Sequence, residues 1–279
     1  MKQPTELIDI LKATAGKDSK IIQLTDAEYR ASTGLSQSAV KDFLKSPAHY
    51  LEAINNKSDP TDAMQFGTAF HAEMLQDDPK FFYAVKEKVD GRTKDGKAYN
   101  EKFAVLNAGK AIINTDDEIK IEGMKDAILR HPLAGALTRS LTHKEVSVFG
   151  TAISAEGYDV RLKGLIDGYI EDEGYIVDYK SCEDASKYGF KKAIKEYGYA
   201  IQDVQYSWLL NNAGKKAKRF YFICAEKKPP YAVGVYWIKA ESLCRMFGIW
   251  QSAINRFSIC EADDIWPAYS DAAVEIDLD

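Results

Sequence analysis

The sequence is poor in cysteine, and its cysteines lie too far apart to form a metal-binding pair. Cys182, Cys224, Cys244 and Cys260 are its only thiols, and no C-x2-C spacing occurs among them. Structural zinc and iron–sulfur sites are usually built from such pairs, so this spacing argues against both. We expect reduced and mostly packed thiols, as in cytoplasmic proteins.

Long apolar runs are also lacking. No stretch approaches the roughly 20 apolar residues that a membrane-spanning helix needs, and the mean hydropathy is −0.34. The first residues lead into a mixed amphipathic segment rather than a signal peptide. There is no internal repeat and no low-complexity run. We therefore expect no membrane association and a cytoplasmic location.

The sequence has no excess of positive charge. Its net charge is −5, but seven acidic residues and no lysine or arginine fall in residues 261–279. Without that acidic tail the chain has 37 basic and 35 acidic residues. A nearly neutral body can still carry a local basic groove, so charge neither supports nor excludes a nucleic-acid substrate.

Hydrophobic periodicity divides one domain, residues 1–279, into three parts. Residues 1–135 are predicted to be mainly helical, with helices near 6–13, 39–44, 49–54, 63–75, 99–113 and 116–130 and a basic loop at 90–97. Residues 136–260 are predicted to hold a β-meander with flanking helices, with strands near 145–149, 158–162, 164–170, 175–180, 219–225 and 231–238 and helices near 185–197, 199–213 and 240–257. Residues 261–279 form the acidic tail. This order predicts a mixed α/β sheet flanked by helices.

The predicted hairpin 164–180 carries two aspartates and a lysine. Side chains alternate along a strand, so Asp178 and Lys180 share a face. Depending on which two residues form the turn, Asp167 lies opposite Asp178 or opposite Lys180. Either register places Asp167 on that same face.

Two neighbouring carboxylates repel each other, and a divalent cation with oxygen ligands, such as Mg²⁺ or Mn²⁺, resolves the conflict. A nearby lysine can then activate water and stabilise charge on a phosphate. The alternative is a solvated charged face without function. The apolar neighbours Ile166 and Ile176 favour a half-buried hairpin, where three charged groups would be costly.

Three further positions carry weaker signals. Gln202 and Tyr206 are four residues apart and share a helical face. His71 lies one turn after Gly67 in a predicted helix. Taken singly, such residues are more often packed in a core than functional.

Together these pieces resemble a known superfamily. The order Gly67-x-x-x-His71, Glu145, Gly164-x-x-Asp167, Asp178-Tyr179-Lys180 and Gln202-x-x-x-Tyr206 resembles the RecB-type branch of the PD-(D/E)xK nucleases. Within that branch the chain is most similar to the RecE exonuclease family (exodeoxyribonuclease VIII and its phage relatives). The segments 44–50, 66–71, 178–181, 201–203 and 265–267 carry this likeness, which covers the chain from about residue 29 onward.

The resemblance implies a restriction-endonuclease-like core and a Mg²⁺-dependent 5′→3′ exonuclease, in which Mn²⁺ can substitute. The substrate would be linear double-stranded DNA, left with 3′ single-stranded tails. The implied metal ligands are Asp167, Asp178 and the backbone carbonyl of Tyr179, with His71 beside the metal or bound to it. Family members often form homo-oligomeric rings and work beside a RecT-type single-strand annealing protein.

The remaining site residues follow from the same resemblance. Lys180 would act on the nucleophilic water, and Glu145 would make an outer contact to metal or water. Gln202 and Tyr206 would hold the DNA backbone or the surroundings of the lysine.

Candidate DNA contacts are Ser36, Ser38, Lys41 and Arg92, expected to grip the 5′ end. Arg161, expected near the catalytic hairpin, either contacts phosphate or pairs with a nearby carboxylate. An endonuclease of the same fold and an inactive DNA-end-binding protein remain the alternatives.

Overall fold

A six-stranded sheet forms the centre of the computed structural model, which describes residues 16–56 and 59–276. Its strands are β1 (Gly16–Ile22), β4 (His143–Ile153), β5 (Asp159–Ile170), β6 (Tyr175–Cys182), β7 (Arg219–Glu226) and β8 (Val233–Tyr236). They lie in the order β1-β4-β5-β6-β7-β8, and every neighbouring pair is antiparallel except β6 and β7, which are parallel. Two short parallel strands, β2 (Tyr83–Lys86) and β3 (Ala111–Asn114), form a separate small sheet.

Helices flank the central sheet and fill most of the N-terminal part. In chain order they are α1 (Asp26–Ala31), α2 (Gln37–Lys45), α3 (Pro47–Asn55), α4 (Asp62–Leu75), α5 (Lys94–Leu106), α6 (Thr115–Arg130), α7 (Pro132–Arg139), α8 (Lys187–Tyr197), α9 (Tyr199–Asn212) and α10 (Ala240–Asp263), with a 3-10 turn at Pro79–Phe81. Side-chain caps start several of them: Ser36 accepts a hydrogen bond from the Ala39 amide at α2, and Ser186 accepts one from Gly189 at α8. The predicted mixed α/β sheet with flanking helices is confirmed.

Each face of the sheet is covered by its own apolar cluster. On one face, α2, α9 and α10 contribute buried side chains such as Phe43, Trp208 and Trp250. On the other face, α4, α6 and α7 contribute side chains such as Phe70 and Met124. Each large apolar side chain buried in this way stabilises the fold by about 1.5–3 kcal/mol. The sheet is thereby fixed between two helical layers.

Strands β5 and β6 pair over only three residues and then separate. Gly168 lies opposite Val177. Of the two registers that the sequence allows, this is the one in which Asp167 lies opposite Asp178. Beyond that pair, β6 continues beside β7 as far as Cys182. Asp167 and Asp178 therefore occupy the next position on each strand beyond the last β5–β6 pair, where the strands separate.

Several element boundaries differ from those that local sequence patterns predict. Residues 16–22, for which no strand is predicted, form β1. Residues 158–162 and 164–170, predicted as two strands, fall together in β5 apart from residue 158. Gly164, the first residue of the second predicted strand, lies inside β5, where a side chain would clash with the Tyr206 ring.

The basic loop is also shorter than expected, because Thr93 caps α5 and the helix starts at Lys94. That helix ends at Leu106, and residues 111–114 form β3, whose pairing with β2 is not visible in local sequence. The helix predicted at 6–13 lies outside the described residues.

None of the four cysteines is in a disulfide, and two of them, Cys224 and Cys260, are buried. Among the helices that the structure describes, none is both long and apolar enough to cross a membrane.

Candidate active site

Asp167 lies on β5 at the point where the strands separate, and it is held from two sides. Its Oδ2 atom accepts a hydrogen bond from the Tyr179 amide at 3.0 Å and lies 3.2 Å from His71 Nδ1. The Tyr179 amide donates to this carboxylate instead of to a β5 carbonyl because backbone pairing has already ended. The predicted neighbours His71 and Asp167 are thus in contact.

The alternation of side chains shifts at Asp167. Ile166 and Tyr169, three residues apart, both belong to the cluster formed with α2, α9 and α10. Strict period-two alternation would have placed them on opposite faces. Alternation along β5 alone therefore does not set the direction of Asp167, which contacts His71 of α4, the helix on the other layer.

Asp178 is almost fully buried and is bound from the opposite layer. Gln202 of α9 donates from Nε2 to Asp178 Oδ1 at 2.5 Å. Lys180 Nζ lies 2.7 Å from Asp178 Oδ2, yet that oxygen is buried and accepts no hydrogen bond from any described residue. The two facts are compatible, since an ion pair needs only proximity whereas a hydrogen bond also needs alignment. Gln202 thus contacts the aspartate, and through it orients the lysine.

Burial and mutual charge separate the pKa values of the two aspartates. Burial raises the pKa of Asp178 to about 6, since the lowering by Lys180 only partly offsets it and Asp167 adds to the rise. Burial also acts upward on Asp167, but the charge and hydrogen bond of His71, together with Lys180 and the Tyr179 amide, hold its pKa below the ordinary value. For His71, burial acts to lower the pKa, but Asp167 outweighs it and the pKa is raised. The site therefore holds an ionised Asp167 next to an Asp178 that binds a proton more readily.

Glu145 joins the same group from β4. Its backbone has a φ of +49°, a conformation that side-chain-bearing residues rarely adopt. Gln23 Nε2 donates to the Glu145 carbonyl at 3.1 Å, and the Gln76 amide donates to its carboxylate. Burial and then the charge of Asp167 raise the pKa of Glu145. The carboxyl group is thus electrostatically part of the cluster.

Tyr206 lies in the core rather than at a surface. It is buried among the side chains beneath β5, where its ring packs at Gly164 and lies 6.2 Å from the Phe220 ring. Burial raises its pKa well above 10. This placement supports a packing role under the strand that carries Asp167.

The five candidate DNA contacts do not form one group. Ser36 caps α2, and its Oγ is 2.9 Å from that of Ser38. Lys41, one turn further on, lies against Gly198 at the junction of α8 and α9. Arg92 is paired with Asp90, at 3.1 Å.

Arg161 lies on the same strand as Asp167 but at the far end of it. The two residues are six positions apart, or about 20 Å along β5. Its guanidinium donates to Thr33 Oγ1 at 3.4 Å and lines an open cavity of about 860 Å³. The expectation that Arg161 is near the hairpin site is therefore wrong, and its partner is a hydroxyl group rather than a carboxylate.

Sequence reasoning missed two residues that contact the site. The Tyr199 ring lies 4.7 Å from Lys180 Nζ, and its position three residues before Gln202 on one helical face could have indicated it. Gln76, which contacts Glu145, carried no such signal because 69 residues separate the two.

The oxygen atoms of the site are of the kind that bind a divalent metal ion. Asp167 and Asp178 supply carboxylate oxygens of the kind that Mg²⁺ and Mn²⁺ prefer. The buried Asp178 Oδ2, which accepts no hydrogen bond from the described residues, can serve as a ligand atom. Within residues 16–56 and 59–276, no three His, Cys, Asp or Glu side chains are already gathered around one point. A full shell would need the Tyr179 carbonyl or solvent in addition.

A mixed sheet covered by helices on both faces, with an acid–lysine pair where two central strands separate, defines a nuclease-like fold of the PD-(D/E)xK class. The chain belongs to the family described as PDDEXK-like domain of unknown function (DUF3799), whose model matches residues 36–277. This confirms the resemblance seen in the sequence and supports nuclease activity on DNA. Nucleases of this class generally use divalent metal ions.

Comparison with solved structures supports the same fold. A protein from Eubacterium rectale named "Putative exonuclease" is 16% identical, with a TM-score of 0.61 over 92% of this chain and 97% of that one. A phage related exonuclease from Haemophilus somnus 129PT is 12% identical, with a TM-score of 0.37 over 85% of this chain and 99% of that one. No curated protein matches the chain. The first likeness extends over almost the whole of both chains and establishes the shared fold.

Proposed function

We propose that this protein is a Mg²⁺-dependent 5′→3′ exodeoxyribonuclease that degrades one strand of linear double-stranded DNA and leaves 3′ single-stranded tails. The observation that carries the proposal is the meeting of Asp167, Asp178 and Lys180 where β5 and β6 separate. Burying two carboxylates beside a lysine costs stability, so a function is the better explanation for their presence. Perturbed pKa values at such a cluster are typical of functional sites.

Each residue has a role that its contacts support. The metal would be held by the Asp167 and Asp178 carboxylates and the Tyr179 carbonyl, with His71 beside them. When bound, the ion neutralises phosphate charge and lowers the pKa of water. Lys180 is 17% exposed, so its ammonium group can reach both solvent and a bound phosphate. It would orient the attacking water and stabilise the charge that develops during hydrolysis.

The surrounding residues position these groups. Gln202 binds one oxygen of Asp178, and Lys180 lies 2.7 Å from the other. His71 holds Asp167 in its ionised form. Glu145, near Asp167, would make an outer contact to metal or water. These contacts preorganise the negative site that a divalent ion needs.

The direction of digestion and the product rest on the RecE-type motifs in the sequence. The same motifs favour a homo-oligomeric ring around DNA and a RecT-type annealing protein as partner. The alternatives are an endonuclease of this fold and an inactive DNA-end-binding protein. The retention of Asp167, Asp178 and Lys180 together argues against the second, because a protein that only binds ends needs none of them.

Digestion of end-labelled linear duplex separates these functions. The assay compares Mg²⁺ with EDTA and linear DNA with covalently closed circles. We expect metal-dependent release of nucleotides from the 5′-labelled end while circles stay intact. Linearised circles would indicate the endonuclease, and no digestion with any divalent metal would indicate the end-binding protein.

A further inference from the structure

Helix α8 presents an exposed basic surface that the proposed chemistry does not use. It contains Lys187, Lys191, Lys192 and Lys195 against one acidic residue, Glu196, in a chain whose net charge is −5. All five side chains are exposed, and the only buried residue of the helix is Phe190. None of the four lysines forms an ion pair within the part of the chain that the structure describes. The surface is therefore available to a negatively charged partner.

A stack of tyrosine rings connects the end of this helix to the candidate active site. The rings of Tyr197 and Tyr199 are 5.7 Å apart with an angle of 28° between them. The inner ring, Tyr199, stacks on Phe222 and lies 4.7 Å from Lys180 Nζ. The outer ring, Tyr197, is 50% exposed. We call Tyr197 and Tyr199 the tyrosine stack.

A turn of the backbone places the two tyrosines on one side. Gly198 between them ends α8 with a φ of +72°, a conformation that favours glycine. The side chain of Lys41 from α2 lies at this turn, with carbon atoms 3.2 Å from where a Gly198 Cβ would be. The carbon chain of a further lysine, from a different helix, therefore lies at the turn between the two tyrosines.

Exposed aromatic rings beside lysines are the combination by which proteins hold single-stranded nucleic acid. Bases stack on the rings, and the cations follow the backbone phosphates. A base inside a duplex is already stacked on both faces, so the open face of Tyr197 favours an unpaired base. An exposed tyrosine alone is ordinary, but here the ring next to it contacts the lysine of the site.

We propose that Tyr197 stacks on an unpaired DNA base next to the phosphate that Lys180 acts on, while Lys41 and the lysines of α8 hold the adjoining backbone. This inference rests on the proposed function, since it takes DNA as the substrate. It assigns the chain a single-strand binding surface at the entrance to the site. Duplex ends would have to open by at least one base pair to use it.

Binding can be measured without cleavage by fluorescence anisotropy in EDTA. The ligands are an oligothymidylate and an oligomer of equal length with abasic sugars. Stacking contributes about 1–3 kcal/mol per base, so Tyr197→Ala should weaken oligothymidylate binding by about tenfold. Tyr197→Phe, which keeps the ring, should bind like the wild type. The abasic oligomer should bind wild type and Tyr197→Ala equally.

Tyr158→Ala is the matched control, because this ring is 49% exposed and lies at the turn between β4 and β5, away from the site. It should leave binding of both oligomers unchanged. In a second variant, Lys191→Gln with Lys195→Gln, binding of both oligomers should weaken and the salt dependence should become shallower. That pattern separates backbone contacts from base stacking.

Three results would overturn the inference: wild type failing to bind oligothymidylate, Tyr197→Ala binding it normally, or Tyr197→Ala losing affinity for the abasic oligomer to the same extent. A helix α8 that binds an acidic protein instead would give the first result. Failure of the nuclease proposal appears separately, as absence of duplex digestion by the wild type. Normal digestion with unchanged binding by Tyr197→Ala would reject the tyrosine stack alone.

Discussion

Replacing Asp178 by asparagine should abolish DNA cleavage and at the same time stabilise the metal-free protein. Asp178 is 2% exposed, and its burial raises the pKa from 3.8 to about 6, although Lys180 acts in the opposite direction. An asparagine at this position would keep an oxygen for the Gln202 hydrogen bond while removing the buried charge. A residue that is kept for function at a cost in stability should, when replaced, lose activity and gain stability.

The magnitude follows from the two pKa values. The folded protein holds the Asp178 proton more tightly than the unfolded chain, so its stability falls as pH rises from about 4 through about 6. The asparagine variant has no carboxyl group at this position, so its stability does not fall over this pH range for that reason. The variant should therefore be more stable by about 3 kcal/mol at pH 8 and by about 1 kcal/mol at pH 4.5.

Urea denaturation in EDTA at both pH values measures the difference, and duplex digestion with Mg²⁺ measures activity. Asp203→Asn is the matched control, because Asp203 is also buried, with a pKa raised to about 8 by burial, and its side chain accepts a hydrogen bond from Ser207. Its stability advantage over the wild type should also grow as pH rises, yet it should digest DNA normally. Our account of Asp178 would be refuted by a variant that is less stable at pH 8, by a difference independent of pH, or by retained cleavage.

Three other substitutions test separate parts of the site. Lys180→Ala should lower the single-turnover cleavage rate by about 10²–10³-fold with DNA affinity retained, and a rate near that of the wild type would remove Lys180 from the mechanism. Gln202→Leu should leave Asp178 Oδ1 buried without a donor, costing about 1–3 kcal/mol in urea denaturation at pH 8; unchanged stability would argue against that hydrogen bond. Gly164→Ala should destabilise the fold by about 1–3 kcal/mol in thermal melts, because its Cβ would lie 2.8 Å from the Tyr206 ring, and a normal melting temperature would show that the ring can move.

The parts of the site that lie close in sequence could be predicted from it. Asp178 and Lys180 are two residues apart on one strand, and the hairpin brings Asp167 next to them. Alternation along β6 and the pairing of a short hairpin were therefore enough to predict that the three residues lie together. Gln202 was indicated by its helical spacing to Tyr206. What spacing could not show is which neighbour each side chain meets: Gln202 binds Asp178, whereas Tyr206 packs beneath Gly164.

The parts that depend on distant pairing could not be predicted in the same way. The β2–β3 sheet joins strands separated by a whole helix, and the contact between Gln76 and Glu145 spans 69 residues. Arg161 was expected near the hairpin, and β5 was predicted as two short strands. Because Gly164 lies inside one long strand, Arg161 is about 20 Å from Asp167 along that strand.

The separation of β5 from β6 explains why the charged groups gather at this point. A strand that loses its neighbour on one side leaves backbone groups there without a strand to pair with, and such groups need other partners when buried. The Tyr179 amide finds one in Asp167, and Asp178, one residue earlier, lies in the same opening beneath α9. Helices from both layers reach this opening, so His71 and Gln202 contact the two aspartates from opposite sides. The polar site is therefore a consequence of the topology. Side chains occupy the space that opens where β5 and β6 stop pairing, and in this sequence they are two aspartates, a glutamine, a histidine and a lysine.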